Sequence, residues 1–234
     1  AMRAQAFARA ALLTVAGASL AFGLQLERVL QGNHEIINGV EAVWQLPATQ
    51  AKGVLFLAHG CQHSATDFWP YSPSCTQCIG LPEEQRIVHE AISAKWAVIS
   101  MSSFDRQWLR CWEFQSDGER AANALRIFRE THQLSHLPLA ALGASSGGAF
   151  VLMLPKLLQV HAVVSQVMAI PPQHLVAESE AYPPTLFVHM ARDRRTEANV
   201  HKCVRRLRET GSIADQITAK PLAIDAGFFS RRVP

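Results

Sequence analysis

The chain has 234 residues and a mass of 25.8 kDa, which fits one domain, or one domain with a short appendage, and excludes a large multidomain protein. Hydrophobic residues make up 49% of the sequence and charged residues 18%, so the chain can bury a sizeable core and is not disordered as a whole. The formal net charge is +3 and the basic residues are spread along most of the chain. This distribution argues against nucleic acid as a partner.

The amino-terminal segment is uncharged from residue 10 to residue 26 and follows two arginines, Arg3 and Arg9. A basic start followed by an apolar stretch with small residues resembles a secretory signal, and the stretch also reaches the lower limit for a helix that crosses a bilayer. We expect residues 1–30 to form a hydrophobic helix that serves as a membrane anchor, a targeting segment or a contact for a protein partner. The alternative is an alanine-rich helix packed on its own domain. The expected location is membrane-associated, secretory or organellar.

Residues 31–234 alternate between apolar runs and helical stretches. Runs typical of strands lie at 40–46, 53–59, 96–101, 137–142, 162–169, 185–190 and 216–219. Stretches of helical character lie at 83–94, 117–133, 146–158 and 197–210. This alternation predicts an α/β fold with a doubly wound, mostly parallel sheet. Ligand chemistry in such sheets gathers at the carboxyl ends of the strands.

The sequence G-x-S-x-G occupies residues 143–147, between an apolar run and a helical stretch. In a nucleophile elbow the central serine lies on a strained strand-to-helix turn, so the positions of Gly143 and Gly147 must lack side chains that would collide. Ser145 is therefore the candidate nucleophile. The backbone N–H of Ser146, at the start of the helix, is a candidate donor to an oxyanion.

A second motif, His59-Gly60-Cys61, follows the apolar run that begins at residue 53. A loop in this position supplies the other oxyanion donor, and the backbone N–H of Cys61 fits that role. Together with the elbow and the late strand that leads to Asp193, the motif resembles the α/β-hydrolase superfamily over residues 38–225. The stretches HGC, DFWP, LGASSGG and PPTLFVHM are similar to those of plant and algal α/β-hydrolase-like proteins of unassigned substrate.

The resemblance implies a serine hydrolase that acts on a carboxylic ester or related acyl bond, with Asp193 as the acid that orients the base and with no cofactor. Only a short insertion separates Ile170 from Tyr182, where many relatives carry a lid. We therefore expect the fold to lack a sizeable cap domain and the site to be open to a small-molecule ester substrate.

The superfamily histidine is missing from its usual place, because residues 220–234 contain no histidine. His63 in the oxyanion loop and His201 in the helix after Asp193 are the substitutes, since a serine hydroxyl needs an adjacent base. Three explanations stay open: the chain is truncated and a tail carries the base, another histidine serves, or the protein is a catalytically inactive binding or assembly subunit.

Five cysteines occur, and Cys75 and Cys78 form a C-x-x-C motif in a loop. In a secretory protein we expect one of these two to form a disulfide with Cys61 or Cys111. A structural zinc ion held by Cys61, His63, Cys75 and Cys78 is the second interpretation, and free thiols are the third. Zinc and catalysis by His63 exclude each other, because both use the same ring nitrogen lone pair.

Overall fold

A computed structural model describes residues 30–177 and 181–227. Its strands are β1 (Asn33–Ile37), β2 (Val40–Gln45), β3 (Gly53–Ala58), β4 (Trp96–Met101), β5 (Leu139–Ala144), β6 (Ala162–Gln166), β7 (Thr185–Met190) and β8 (Ala214–Ala219). Its α-helices within these ranges are α1 (Pro82–Ser93), α2 (Phe114–Thr131), α3 (Ser146–Met153) and α4 (Arg194–Glu209).

The eight strands form one sheet in the order β1-β2-β4-β3-β5-β6-β7-β8. β1 pairs antiparallel with β2, and β2 with β4, whereas every other neighbouring pair is parallel. This topology confirms the predicted mostly parallel α/β sheet. It also brings the carboxyl ends of β3 and β5, and hence the two predicted motifs, to the same edge of the sheet.

The sequence did not predict β1, which is the edge strand next to β2. Its sequence NHEII has three polar residues and an exposed face, so it lacks the apolar run of a buried strand. The turn into β2 is the sequence Asn38-Gly39, and both residues have positive φ angles, of 49° and 75°. An Asn-Gly pair between two short runs is the strongest local hairpin signal, so this dipeptide could have identified the strand.

Two hydrophobic cores lie on opposite faces of the sheet. Helices α2, α3 and α4 pack on one face, in a cluster that includes the fully buried Phe56, Phe128 and Phe187. Helix α1 and the loop after β3 pack on the other face, around Trp69 and neighbouring apolar side chains. Burial of these large apolar side chains is the main favourable term for the fold.

The structure contains two disulfides, Cys61–Cys111 and Cys75–Cys78. Disulfide formation was predicted correctly, but the predicted pairing between the two sets was wrong, because the C-x-x-C pair closes on itself in a turn. The four-residue zinc set is not formed, since three of its members are the bonded cysteines. No group of three or more His, Cys, Asp or Glu residues suited to a metal occurs in the described ranges.

Within residues 30–177 and 181–227, no helix has the length and apolar character needed to cross a membrane. The hydrophobic helix predicted for residues 1–30 lies outside the described residues except for Leu30, so the anchor, targeting and contact interpretations all remain predictions.

The two disulfides should differ in their contribution to stability, because they close loops of very different length. The sequence separation is 50 residues for Cys61–Cys111 and 3 for Cys75–Cys78. Loop-closure entropy predicts that replacing both members of the first pair by serine lowers the free energy of unfolding by about 4 kcal/mol, against about 1.5 kcal/mol for the second. Urea denaturation of the two double variants measures this difference, and equal losses would contradict it.

Candidate active site

Ser145 lies in a strained turn between β5 and α3. Its backbone angles are φ 53° and ψ −119°, a region that residues other than glycine rarely adopt. Such a conformation costs roughly 1–3 kcal/mol and persists only where the surroundings enforce it. Two backbone hydrogen bonds hold the turn: Ser145 N–H donates to Gln166 O at 3.0 Å, and Ser145 O accepts from Ala149 N–H at 3.0 Å.

The two glycines of the elbow are required by close backbone approach. A Cβ atom on Gly143 would collide with the carbonyl group of Gly147, and a Cβ atom on Gly147 would collide with the carbonyl oxygens of Ala58 and His59. Any side chain at either position would force the backbone apart. The start of α3 is therefore pressed against the end of β3, which leads into the second motif.

The loop after β3 lies beside Ser145. A Cβ atom built on Gly60 would be 3.7 Å from Ser145 Cβ and also 3.7 Å from His63 Cδ2, so these two side chains flank the same glycine. The backbone N–H groups of Cys61 and Ser146 make no hydrogen bond within the described part of the chain. Both N–H groups are therefore available to donate to an acceptor other than the described residues.

His59 orders this loop from a buried position. Its Nε2 accepts a hydrogen bond from Ser103 N–H at 3.1 Å, so Nδ1 carries the proton and donates to Gly60 O at 2.6 Å. Burial of the ring lowers the pKa of His59 to about 4, which keeps the imidazole neutral at pH 7. Because both ring nitrogens are engaged, His59 is a structural residue.

His63 pairs with a carboxylate that the sequence interpretation did not select. His63 Nδ1 lies 2.8 Å from Oδ2 of Asp67, four residues later. Asp67 is 6% exposed and also accepts hydrogen bonds from the backbone N–H and the hydroxyl of Ser64, at 3.2 and 3.0 Å. A carboxylate only accepts, so Nδ1 of His63 carries a proton, and in the neutral ring the lone pair is then on Nε2.

Ser145 Oγ makes no hydrogen bond to an imidazole in the residues that the structure describes. The side chain of His63 is 41% exposed, and its Nε2 has no partner in the same ranges. Catalytic hydrogen bonds are often long or poorly aligned in ligand-free enzymes and shorten when substrate binds.

Asp193 and His201 are placed differently from the predicted relay. Asp193 is the N-cap of α4: it accepts hydrogen bonds from Thr196 N–H at 3.0 Å and from Thr196 Oγ1 at 2.6 Å. These bonds lower the pKa of the Asp193 carboxyl. His201 is exposed on α4, with its ring centroid 6.4 Å from that of the buried His189. The structure therefore brings His63, but not His201, beside the elbow.

The loop after β4 is linked to the loop after β3. Gln62 N–H donates to Leu109 O at 2.8 Å, and the Cys61–Cys111 disulfide joins the same two loops. Gln62 has a φ of 67°, so its backbone also lies in the left-handed region. These contacts fix the direction of the neighbouring Cys61 N–H.

Asp105 gives the loop after β4 its shape. Its carboxylate accepts four backbone N–H groups at 2.9 to 3.0 Å, from residues Gln107, Trp108, Leu109 and Arg110. These four hydrogen bonds lower the pKa of Asp105, and the bond from Trp108 N–H has the largest effect. The loop presents Trp108 and Leu109 to solvent, with exposures of 81% and 63%. The only sequence signal for this role is an aspartate that precedes a run of residues without regular structure.

No protein-family model matches the sequence, and no curated protein is detectably similar to it. Solved structures do match. TT1662 from Thermus thermophilus is 17% identical with a TM-score of 0.57, over 82% of this chain and 90% of its own. Thermogutta terrifontis esterase 2 phosphoramylated by tabun is 13% identical with a TM-score of 0.57, over 90% and 89%.

Brefeldin A esterase, a bacterial homologue of human hormone-sensitive lipase, is 14% identical with a TM-score of 0.58, over 98% of this chain and 80% of its own. At these identities the likeness shows the fold. The chain has the α/β-hydrolase fold, and its described residues contain no sizeable cap.

The buried His59 should make stability depend on pH. Burial lowers the pKa of His59 to about 4 in the folded protein, against 6.5 for an unperturbed histidine, so between these pH values the unfolded chain binds the extra proton. Stability from this residue is complete above pH 6.5 and falls by about 3 kcal/mol as the pH drops to 4. His59→Gln cannot be protonated, so the difference in unfolding free energy between the two proteins should shrink over this window. A constant difference would contradict the prediction.

Proposed function

We propose that the protein is a serine hydrolase that cleaves a carboxylic ester or a related acyl bond, with Ser145 as the nucleophile. The observation that carries the proposal is the strained backbone of Ser145 between two glycines that tolerate no Cβ atom. Strain of this kind is held at functional sites, where it exposes a side chain at the end of a strand. The fold is shared with proteins named as esterases, which agrees with this reaction class.

His63 is the proposed general base. It flanks the same glycine as Ser145, its Nδ1 is engaged by Asp67, and its Nε2 has no partner in the described ranges. In this scheme Asp67 holds the tautomer and orientation of the ring, the role that the sequence assigned to Asp193. A modest turn of the half-exposed His63 side chain toward Ser145 completes the relay when substrate binds.

In the acylation step, Ser145 Oγ attacks the carbonyl carbon and its proton passes to Nε2 of His63. The carbonyl oxygen becomes an oxyanion, which the N–H groups of Cys61 and Ser146 bind. The bond to the alcohol oxygen then breaks, and His63 returns the proton to this leaving group. In deacylation His63 takes a proton from water, and the resulting hydroxide attacks the carbonyl carbon of the acyl-enzyme. The bond to Ser145 Oγ then breaks, which releases the acid, and His63 returns the proton to Ser145 Oγ.

Apolar side chains at the same edge suit a substrate with an apolar part. Trp108 and Leu109 project from the loop that contacts the oxyanion loop, and both are largely exposed. Without a sizeable cap in the described residues, these side chains leave the serine accessible. Small esters with an apolar acyl or alcohol group are the proposed substrate class.

A second candidate function is that of a catalytically inactive binding or assembly subunit. The observation that favours it is the lack of a hydrogen bond between Ser145 Oγ and any imidazole of the described residues. In this alternative the elbow is retained as a structural turn, and the His63–Asp67 pair only orders the loop. The two candidates differ in whether the Ser145 hydroxyl is nucleophilic.

A fluorophosphonate probe, read by mass spectrometry, tests the nucleophile. We expect one adduct on the peptide that contains Ser145, and none in Ser145→Ala. Ser146→Ala is the matched control: it keeps the backbone N–H and the elbow, so labelling should persist. A solved structure with the same fold is Thermogutta terrifontis esterase 2 phosphonylated by sarin, which is the reason for choosing this reagent class. Absence of labelling in the folded full-length chain would favour the inactive subunit.

A pair of isosteric variants tests the relay. Asp67→Asn should slow hydrolysis of p-nitrophenyl butyrate by roughly 10²–10⁴-fold, because it no longer favours the reactive His63 tautomer. Asp193→Asn weakens the cap of α4 by roughly 1 kcal/mol but should leave the rate within about twofold. His63→Gln should also lower the rate of p-nitrophenyl butyrate hydrolysis, by an amount comparable to that of Asp67→Asn. Rate loss in Asp193→Asn alone would restore the original assignment, and thermal unfolding of each variant controls for misfolding.

A further inference from the structure

Val167 has a backbone conformation that its own side chain disfavours. It follows β6 directly, and its φ is 49°. Positive φ is uncommon for any residue with a side chain, and for a β-branched residue it is an outlier. Glycine or asparagine would adopt this angle with less strain. The side chain of Val167 is also 37% exposed, so neither the backbone nor burial in the core accounts for a valine at this position.

The turn that contains Val167 is held from two sides. Val167 N–H donates to Val188 O on β7 at 2.7 Å, and Ser165 Oγ donates to Met168 O at 3.0 Å. A Cβ atom built on Gly148 of α3 would be 3.0 Å from Met168 Cβ, so the helix packs closely against the same turn. These contacts give Val167 the rigid surroundings in which a strained residue persists.

Val167 lies next to Ser145 at the edge of the sheet. Ala144 on β5 and Gln166 on β6 are register partners, and Ser145 N–H donates to Gln166 O at 3.0 Å. Ser145 and Val167 are the next residues along these two strands, whose spacing is ~4.8 Å. β3 and β6 flank β5 on opposite sides. Val167 therefore borders the serine on the side away from the loop that carries His63.

A second apolar side chain is exposed farther along the same edge. Met190 is the last residue of β7, the parallel neighbour of β6, and it is 56% exposed. Methionine is flexible and adapts its shape to apolar ligands. Ser145, Val167 and Met190 thus stand at the carboxyl ends of three consecutive strands, in the order β5, β6 and β7. The two apolar residues suit an apolar group attached to the serine.

The direction of proton transfer decides which part of an ester faces these residues. His63 returns its proton to the alcohol oxygen, so the alcohol part must lie toward the loop after β3. The oxyanion lies between the N–H groups of Cys61 and Ser146. The acyl substituent of the tetrahedral carbon takes the remaining direction, away from His63 and toward the end of β6. This step rests on the function proposed above.

We propose that Val167 determines the acyl specificity of the hydrolase. Its side chain limits how far an acyl group extends from Ser145 across the sheet edge toward Met190. The substrates that this arrangement favours are esters with a short apolar acyl group. The alcohol part lies on the other side of the serine, where the loop after β4 carries the exposed Trp108 and Leu109.

Glycine substitution tests the acyl side. Val167→Gly removes the side chain and suits the positive φ. We expect the ratio of kcat/KM for p-nitrophenyl octanoate to that for p-nitrophenyl acetate to rise roughly tenfold or more, because the longer chain gains room. Val167→Ala should shift the ratio in the same direction, and Val167→Phe should lower it. Thermal unfolding shows which of these variants are folded.

The matched control is Lys95→Gly. Lys95 has a φ of 64° and precedes β4, at the opposite edge of the parallel strands, so this variant makes the same backbone change away from Ser145. Its octanoate-to-acetate ratio should equal that of the unmodified protein. An equal rise in Lys95→Gly would overturn the proposal, since the effect would then come from a general loosening of the fold.

A second substrate series separates the two sides of the serine. Ethyl and hexyl butyrate share the acyl group and differ in the alcohol, and a pH-stat measures their hydrolysis. Their ratio of kcat/KM in Val167→Gly should stay within about twofold of that of the unmodified protein. A shift in this ratio with no shift in the acyl series would overturn the proposal, because the alcohol would then lie at β6.

The controls distinguish failure of this inference from failure of the proposed function. An unmodified protein that hydrolyses p-nitrophenyl acetate, with glycine and alanine variants that are folded and active but keep the same acyl ratio, would overturn the role of Val167 alone. An unmodified protein that hydrolyses none of these esters and does not react with the fluorophosphonate would overturn the proposed function and this inference together.

Discussion

The close approach of α3 to the end of β3 is the contact on which the site depends. It is possible because Gly147 presents no side chain to the carbonyl oxygens of Ala58 and His59. The same approach forces Ser145 into a conformation that costs roughly 1–3 kcal/mol. The fold therefore uses the packing of a helix against a strand end to hold the serine out of the sheet and next to the loop that begins at His59.

The two histidines of that loop differ in burial and in their hydrogen bonds, and therefore in their roles. His59 is buried, neutral and uses both ring nitrogens for backbone hydrogen bonds, so it fixes the loop. His63 is half-exposed and uses one nitrogen for Asp67. Only a ring with a free lone pair can accept a proton, so the base proposed here follows from the hydrogen-bond inventory of the two side chains.

The sequence predicted the parallel sheet and the strand-to-helix turn at Ser145 because both depend on local patterns: apolar runs of fixed length, and glycines at the two positions that approach other backbone. It did not predict what depends on three-dimensional pairing. The partner of Cys61 is decided by the loop after β4, and β1 is an edge strand with little apolar content. The contact of Asp67 with His63 was not predicted, although the spacing of four residues allows it, because the superfamily pattern places the acid after the late strand, at Asp193.

The strained turn at Ser145 depends on two neighbouring parallel strands. β5 ends at Ala144, directly before Ser145, while β6 pairs with β5 and supplies Gln166 O as the acceptor for Ser145 N–H. A strained turn persists only where its surroundings are rigid. Helix α3, which begins directly after Ser145, packs on both β5 and β6 and supplies part of that rigidity.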